Sequence, residues 1–206
     1  VVKKKIHILH NASSLKSQFN VYKKKKKLKI GYFGSIFESR GIQMILKLSV
    51  LDKKNKYYIF GGSIKQINII KQKFQNENLF FCPHIPYSKV GNEIKKVDVC
   101  ILPYTSKITV SGNVGDISKF TSPLKIFDYM KLGKLIISSN LPVLREVLLN
   151  KNNSLLINRF HDEKEWFKKI SAVSKNFKKF DRIRINAFNY AKKFDLNWRV
   201  KKLLSF

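Results

Sequence analysis

Thr121-Ser-Pro-Leu-Lys-Ile-Phe-Asp-Tyr-Met-Lys-Leu-Gly133, followed at once by the apolar run Lys134-Leu-Ile-Ile-Ser138, decides the fold class of this chain. Ser122 is a good N-cap residue and Pro123 suits the first helical position. Gly133 is the residue expected just past the end of a helix. The stretch therefore predicts a helix over 122–132 that leads directly into a buried strand.

The same alternation of apolar strands and helical patterns runs through the whole chain. Strands are predicted at 28–34, 56–60, 78–82, 98–102, 134–138 and 154–157. Helices are predicted at 41–50, 63–74, 87–96, 122–132 and 141–149, and from Asp162 onward the pattern is entirely helical. Such strands fit burial on both faces. We predict an α/β fold, a single Rossmann-like, doubly wound parallel sheet of about six strands flanked by helices, with a C-terminal helical extension.

Three segments follow from this pattern. The first 29 residues carry ten Lys and no acidic residue, and the basic run 23–27 predicts a solvated loop. We expect residues 1–27 to form a linker segment and 28–194 to form the Rossmann-like domain. Residues 195–206 are expected to form a C-terminal helix.

The composition gives a formal net charge of +29, from 42 Lys plus Arg against 13 Asp plus Glu. A hydrophobic content of 44 % argues against intrinsic disorder. The charge fits either an electrostatic surface for nucleic acid, anionic lipid or phosphorylated ligands, or a Lys-rich compositional background. Only six of the basic residues are Arg, which favours the background and predicts no specific nucleic-acid partner.

The compartment is predicted to be reducing. Cys82 and Cys100 are too few for a disulfide framework, and no run of about 18 apolar residues predicts a membrane-spanning helix. The first residues also lack the apolar stretch of a secretory signal. We expect a cytoplasmic protein, with peripheral attachment to an anionic inner membrane face as a further expectation.

The expected strand order, 3-2-1-4-5-6, places a topological switch point between the first and fourth strands. Ligands bind there, outside the carboxyl ends of the strands, so the loops at 34–41 and 103–122 should frame the site. A helix that begins at Ser122 would aim its free N–H groups at a diphosphate. Lys125 could then add charge to a phosphate, and Asp128 could accept hydrogen bonds from a ribose. The alternative is a plain ion pair within the helix.

Two further loops offer candidate residues. The turn from Gly34 to Gly41 contains Arg40, which could reach a diphosphate or be a solvated surface residue. It lacks a G-x-G-x-x-G or P-loop pattern. After the third predicted strand, His84 or Tyr87 could contact a base, although a lone His is more often structural. The four His are scattered without metal-ligand spacing, and no nucleophile elbow is present.

Several of these segments together resemble a known family. They are Tyr32-Phe-Gly-Ser, Asp98-Val-Cys-Ile-Leu-Pro-Tyr104, Ser122-Pro-Leu-Lys-Ile-Phe-Asp-Tyr-Met130, Gly133-Lys-Leu-Ile-Ile-Ser-Ser-Asn-Leu-Pro142 and Leu144-Arg-Glu-Val147. In this order and spacing they resemble the C-terminal, donor-binding domain of group 1 (family four) retaining glycosyltransferases, the GT-B enzymes with two facing Rossmann-like domains. The likeness covers about residues 6 to 204.

The resemblance implies a nucleotide-diphosphate sugar as donor substrate, with no cofactor and no obligatory metal. It implies catalytic roles for Arg40 and Lys125, which would stabilise the departing diphosphate. The implied substrate-binding residues are Gly34, Ser35, Gly41, His84, Ile85, Tyr104, Thr121, Ser122, Pro123, Leu124 and Asp128. The resemblance further implies that residues 1–27 are an inter-domain segment, that 28–194 form the nucleotide-sugar-binding domain, and that the helix at 195–206 crosses toward a partner domain. An N-terminal acceptor domain or separate subunit is the implied partner, and this chain alone would then be inactive.

Two positions depart from the family's pattern. The family often has two Glu spaced eight apart, whereas this chain has Phe120 and Asp128. A basic residue commonly follows the Gly of the first strand, whereas this chain has Ser35. These departures leave open a second function, a non-catalytic nucleotide-binding or partner-docking domain that kept the fold.

Overall fold

The computed structural model describes residues 9–21, 26–110 and 115–205. One sheet of six parallel strands forms its centre, with the order β3-β2-β1-β4-β5-β6. The strands are β1 (Lys29–Phe33), β2 (Lys56–Phe60), β3 (Leu79–Cys82), β4 (Val99–Leu102), β5 (Leu135–Ser139) and β6 (Leu155–Ile157). The predicted fold class and strand order are confirmed, and the switch point lies between β1 and β4.

Helices connect and flank the strands. They are α1 (Ile42–Leu51), α2 (Ile64–Lys73), α3 (Tyr87–Lys96), α4 (Leu124–Lys131), α5 (Pro142–Arg145), α6 (Glu163–Lys175), α7 (Asp181–Ala191) and α8 (Leu196–Leu203). A capping box of Ser63 and Gln66 begins α2, and the Asp162 side chain caps α6. The C-terminal extension is thus helical, as its pattern predicts.

The core lies on both faces of the sheet. Every residue of β4, β5 and β6 is buried, which explains why these strands read as continuous apolar runs. Trp166 of α6 is fully buried, and its indole N–H donates to the Phe160 carbonyl at 3.0 Å. Within the described residues no helix combines the length and apolar content needed to cross a bilayer.

Two helix predictions are wrong in detail. Helix α4 begins at Leu124 rather than Ser122, because Pro123 has an extended ψ of 114° and occupies the N-cap position itself. Ser122 provides no cap; its carbonyl instead accepts from Asn11 Nδ2 at 2.7 Å. At the other end the prediction is confirmed, since Gly133 lies just past the helix at φ +58°.

The helix predicted over 141–149 is the second error. Only the four residues of α5 are helical. The Asn153 side chain accepts from the Leu149 amide at 2.7 Å and donates to the Val147 carbonyl at 2.9 Å. A side chain therefore satisfies backbone groups that a longer helix would pair internally.

The polar stretch between β4 and α4 is partly packed rather than free. Ile108 and Thr109 are buried, and the Thr109 hydroxyl hydrogen-bonds the Ser39 hydroxyl at 2.8 Å. This contact ties the stretch to the turn after β1, so the two loops predicted to frame the site do meet. Residues 111–114 of the stretch lie outside the described residues, as do 23–25 of the basic run 23–27.

The buried Lys131 of α4 binds both the segment 9–21 and the residue that precedes α8. The side chain of Lys131 is 3 % exposed, and its Nζ donates to the Ser13 carbonyl and to Asp195 Oδ2, each at 2.7 Å. The Ser13 amide also donates to the Phe194 carbonyl at 3.2 Å. The segment 9–21 and the start of α8 are therefore held on the Rossmann-like domain, while the predicted boundaries at 27 and 194 stay predictions.

Replacing Asp195 by Asn should reduce the free energy of unfolding by about 1–2 kcal/mol, because the buried Lys131 ammonium loses its counter-charge. Asn keeps the N-cap contact that Asp195 makes with the Asn197 amide. Lys131 lowers the pKa of Asp195. The contribution is therefore present at neutral pH and lost as pH falls through that lowered pKa.

Urea denaturation at neutral pH measures this effect. Glu93→Gln is the matched control, since it removes a half-buried carboxylate that pairs with the exposed Lys96, and it should change stability by less than about 0.5 kcal/mol. Equal effects of the two substitutions would show that the Lys131–Asp195 pair contributes no more to the free energy of unfolding than the Lys96–Glu93 pair does.

Candidate functional site

A cavity of about 570 Å³ opens at the carboxyl ends of β1 and β2, beside the start of α4. The rings of Phe33 and Phe60 stack at 4.5 Å and form part of its wall. Seven of the predicted site residues line it, namely Gly34, Ser35, His84, Ile85, Leu124, Lys125 and Asp128. The cavity thus lies near the switch point, where topology alone predicts a ligand.

Lys125 supplies the positive charge of the cavity. Its Nζ lies 4.6 Å from the ring centroid of Tyr32 and 5.6 Å from that of Tyr104. The ammonium also rests against Gly34, where a methyl group would overlap Nζ. Burial lowers the pKa of Lys125; Tyr104 opposes that shift, and Arg40 adds to it. The cation is thus placed among aromatic faces without an acidic partner in the described contacts.

Asp128 lies one turn further along α4 and is 3 % exposed. Its Oδ1 accepts a hydrogen bond from the Tyr87 hydroxyl at 2.9 Å. Burial raises the pKa of Asp128, while Ser13, Tyr87 and Lys131 act against that rise. Lys125 and Asp128 therefore do not form the simple helical ion pair that was the alternative; each has its own partners, and both line the cavity.

Arg40 lies behind this cavity rather than in its lining. Its guanidinium carbon is 5.1 Å from the ring centroid of Tyr104, and its Nη2 donates to the Thr109 carbonyl at 3.3 Å. Tyr104 is 2 % exposed, between Arg40 and Lys125. Gly41 is buried against the Pro103 carbonyl. The roles predicted for Arg40, Gly41 and Tyr104 stay predictions.

Thr121, Ser122 and Pro123 line a separate small cleft with His10 and Glu146. The backbone before α4 is extended, and the Thr121 amide donates to the Ile117 carbonyl at 2.9 Å. The structure therefore does not bring these three residues together with the other predicted site residues in one cavity.

The cavity also contains residues that the sequence analysis did not select. The glycine and polar residues among them are Gly61, Gly62, Ser63 and Gln66, together with Tyr87, which was considered only as a base contact. Gly61 packs against Gly34 so closely that a methyl group on it would overlap the Gly34 carbonyl oxygen. Two adjacent glycines directly after β2, the neighbour of β1, were the signal that could have identified this turn.

Metal ligands do not assemble at this site. Across residues 9–21, 26–110 and 115–205, no three His, Cys, Asp or Glu side chains cluster as metal ligands would. The polar groups that face the cavity, Lys125, Asp128 and Tyr87, instead suit an organic anion that carries hydroxyl groups.

Together the sheet order and the switch-point cavity define a doubly wound α/β domain with a polar ligand crevice. The family model of the group 1 glycosyl transferases matches residues 14–190, and the chain belongs to that family. No curated protein matches it.

Solved structures share the fold at low sequence identity. Anabaena Alr3699/HepE in complex with UDP matches with a TM-score of 0.70 at 13 % identity, over 87 % of this chain and 48 % of that one. Sucrose-phosphate synthase from Thermosynechococcus elongatus matches with 0.71 at 14 %, over 87 % and 44 %. The C-terminal domain of LpcC from Francisella tularensis matches with 0.63 at 14 %, over 82 % and 87 %. The chain thus spans about half the length of the first two structures.

Proposed function

We propose that this chain is the donor-binding half of a retaining glycosyltransferase and binds a nucleotide-diphosphate sugar in the cavity beside α4. One observation carries the proposal: Lys125 and Asp128, one turn apart on α4, line the same cavity near the switch point. A cation suits the diphosphate, and a buried carboxylate suits ribose hydroxyls. Structures of HepE with UDP and with UDP-glucose share this fold and make uridine donors the first to test.

The chemistry assigned to the cavity is electrostatic. When the bond between the sugar and the diphosphate breaks, negative charge develops on the leaving phosphate oxygen. In this proposal Lys125 stabilises that charge from a partly desolvated position, where Coulombic attraction is stronger than in water. Arg40, whose guanidinium contacts the same Tyr104 ring as Lys125 does, would add its positive charge to the electrostatic field at the diphosphate.

The acceptor is assigned to another unit. The HepE and sucrose-phosphate synthase structures are about twice as long as this chain. We propose that an N-terminal acceptor domain or a separate subunit faces the cavity, with the segments 9–21 and 195–204 on that side. Hexosyl transfer, inactivity of this chain alone, a cytoplasmic location and peripheral attachment to anionic lipid belong to the same proposal.

Replacing Asp128 by Ala should weaken UDP-glucose binding about tenfold or more, because the ribose hydroxyls lose a charged acceptor. Isothermal titration calorimetry on the folded chain measures the change. Glu77→Ala is the matched control: Glu77 is exposed and outside the cavity, and its loss should leave the affinity unchanged. Absence of saturable binding to the unsubstituted chain by UDP-, GDP- and ADP-sugars would overturn the proposed function.

A second candidate function is a nucleotide-binding domain without catalysis. Phe120 favours it, because it stands where the family often has a Glu, and its side chain is 80 % exposed outside the cavity. The chain alone is proposed to transfer no sugar to an acceptor, but slow hydrolysis of UDP-glucose, in which water replaces the acceptor, would support the enzyme if it is abolished in the Asp128 variant. An affinity unchanged by Asp128→Ala would indicate an abandoned site.

A further inference from the structure

Tyr87 occupies a position that the proposed donor site does not yet explain. It is the first residue of α3, it is 40 % exposed, and it lines the cavity. Its hydroxyl crosses from α3 to α4 and donates to Asp128 Oδ1 at 2.9 Å. The contact joins the loop after β3 to the helix that carries both charged residues of the cavity.

The Asp128 carboxylate depends on such partners. Burial raises its pKa, and an isolated buried carboxylate tends to take up a proton. A protonated Asp128 would accept weaker hydrogen bonds than the anion does. Ser13 acts most strongly against the rise in pKa, the Tyr87 hydroxyl next, and Lys131 least. Tyr87 thus favours the ionised form.

The same hydrogen bond also fixes the orientation of the carboxylate. A carboxylate offers two oxygens as acceptors. With Oδ1 engaged by Tyr87 and the Ser13 side chain also hydrogen-bonded to the carboxylate, rotation about the last side-chain bond is restricted, while Oδ2, with two lone pairs, can still accept from a further donor. A ribose hydroxyl that enters the cavity is a suitable donor for Oδ2.

We propose that Tyr87 is a positioning residue for nucleotide recognition: it holds the Asp128 carboxylate ionised and oriented so that Oδ2 accepts a ribose hydroxyl. This inference rests on the proposed nucleotide-sugar function and deepens it. Tyr87 acts through Asp128, so its influence depends on the hydroxyl that Asp128 binds. The aromatic ring of Tyr87 is not required for the effect.

Tyr87→Phe removes the hydroxyl and keeps the ring. UDP-glucose binding by the full 206-residue chain is measured by calorimetry from about pH 4.5 to 8. UDP-glucose is preferred to UDP because UDP ends in a phosphate that titrates at about pH 6, whereas in UDP-glucose the sugar esterifies that phosphate. We expect affinity at neutral pH to fall about five- to tenfold in the variant.

The dependence of UDP-glucose affinity on pH distinguishes a positioning role of Tyr87 from a general loss of structure in the variant. Asp128 binds as the anion, so affinity should fall as pH drops through its pKa. Without the Tyr87 hydroxyl that pKa is higher, and the fall should begin at a higher pH. The groups that face Asp128 are Tyr87 from α3, Ser13 from the N-terminal segment, and Lys131 and Lys125 from α4 itself. Ser13, Lys131 and Lys125 are present in both proteins, and so is His84, which also lines the cavity.

Ligands without one ribose hydroxyl provide the second readout. With the 2′-deoxy or the 3′-deoxy analogue of UDP-glucose, whichever lacks the hydroxyl bound by Asp128, the penalty for Tyr87→Phe should largely disappear. Tyr58→Phe is the matched control, because Tyr58 is half-buried on β2 away from the cavity. It should leave the affinity and the pH profile unchanged.

The outcomes distinguish this inference from the function on which it rests. If the unsubstituted chain binds UDP-glucose and Tyr87→Phe binds equally well or more tightly with the same pH profile, the positioning role is overturned and the proposed function stands. An equal penalty with all three ligands also overturns it. If the unsubstituted chain does not bind, the uridine-sugar function and this inference fail together.

Discussion

Replacing Lys125 by Met is expected to weaken UDP-glucose binding about 10- to 100-fold, because the diphosphate loses its nearest cation in a partly desolvated site. Met preserves most of the side-chain volume against the rings of Tyr32 and Tyr104. Burial lowers the pKa of Lys125 and so acts against the charged form, while the rings of Tyr32 and Tyr104 stabilise it. The variant should therefore change little in stability while it loses affinity.

Calorimetry and urea denaturation on the same samples test both halves of this expectation. Lys119→Met is the matched control: it removes one charge from an exposed position outside the cavity and should leave affinity within about twofold. Equal weakening by the two substitutions would mean that the net charge of +29, and not Lys125, attracts the nucleotide.

Replacing Gly41 by Ala is expected to reduce the free energy of unfolding by about 3 kcal/mol or more. Gly41 has φ +78°, and a methyl group there would overlap the carbonyl oxygen of Pro103. The turn after β1 and the end of β4 would have to move apart. The new methyl group is fixed to the Gly41 backbone and the Pro103 carbonyl is itself backbone, so neither can rotate away as the end of a flexible side chain can. The loss of packing at the switch point should also weaken nucleotide binding.

Gly115→Ala isolates the contribution of the backbone conformation. Gly115 has φ +67°, but a methyl group there meets no atom of residues 9–21, 26–110 or 115–205 within 4 Å. We expect this control to lose only about 1 kcal/mol, the cost of a left-handed conformation in a residue with a Cβ. Urea midpoints that fall by the same amount in both variants would contradict the close approach between Gly41 and Pro103.

The sheet was predictable because each strand is a short apolar run buried on both faces, and right-handed crossovers leave few possible orders. The helix ends were less predictable. Ser122 looks like an ideal cap, yet Pro123 takes that position with an extended backbone. Similarly, the apolar periodicity after residue 141 continues past the true end of α5, where the Asn153 side chain captures the backbone.

The site was predictable where topology places residues at the carboxyl ends of neighbouring strands. Lys125 and Asp128 line one cavity for that reason. Arg40 does not, because the orientation of a long side chain depends on tertiary partners, here the ring of Tyr104 and the Thr109 carbonyl. The contact of Tyr87 with Asp128 joins residues 41 positions apart, and no local pattern in the sequence reports it.

The most direct test of the account is an amide chemical-shift titration of the isotope-labelled chain with UDP-glucose. We expect saturable shifts of the amides in the turns after β1 and β2, which contain Gly34, Gly61 and Gly62. We also expect them for the amides of Lys125 and Asp128. These amides surround the cavity beside α4. Shifts confined to another surface, such as the groove between Lys71 and Phe81, or no saturable shifts at all, would contradict the assignment of a nucleotide-sugar site to this cavity.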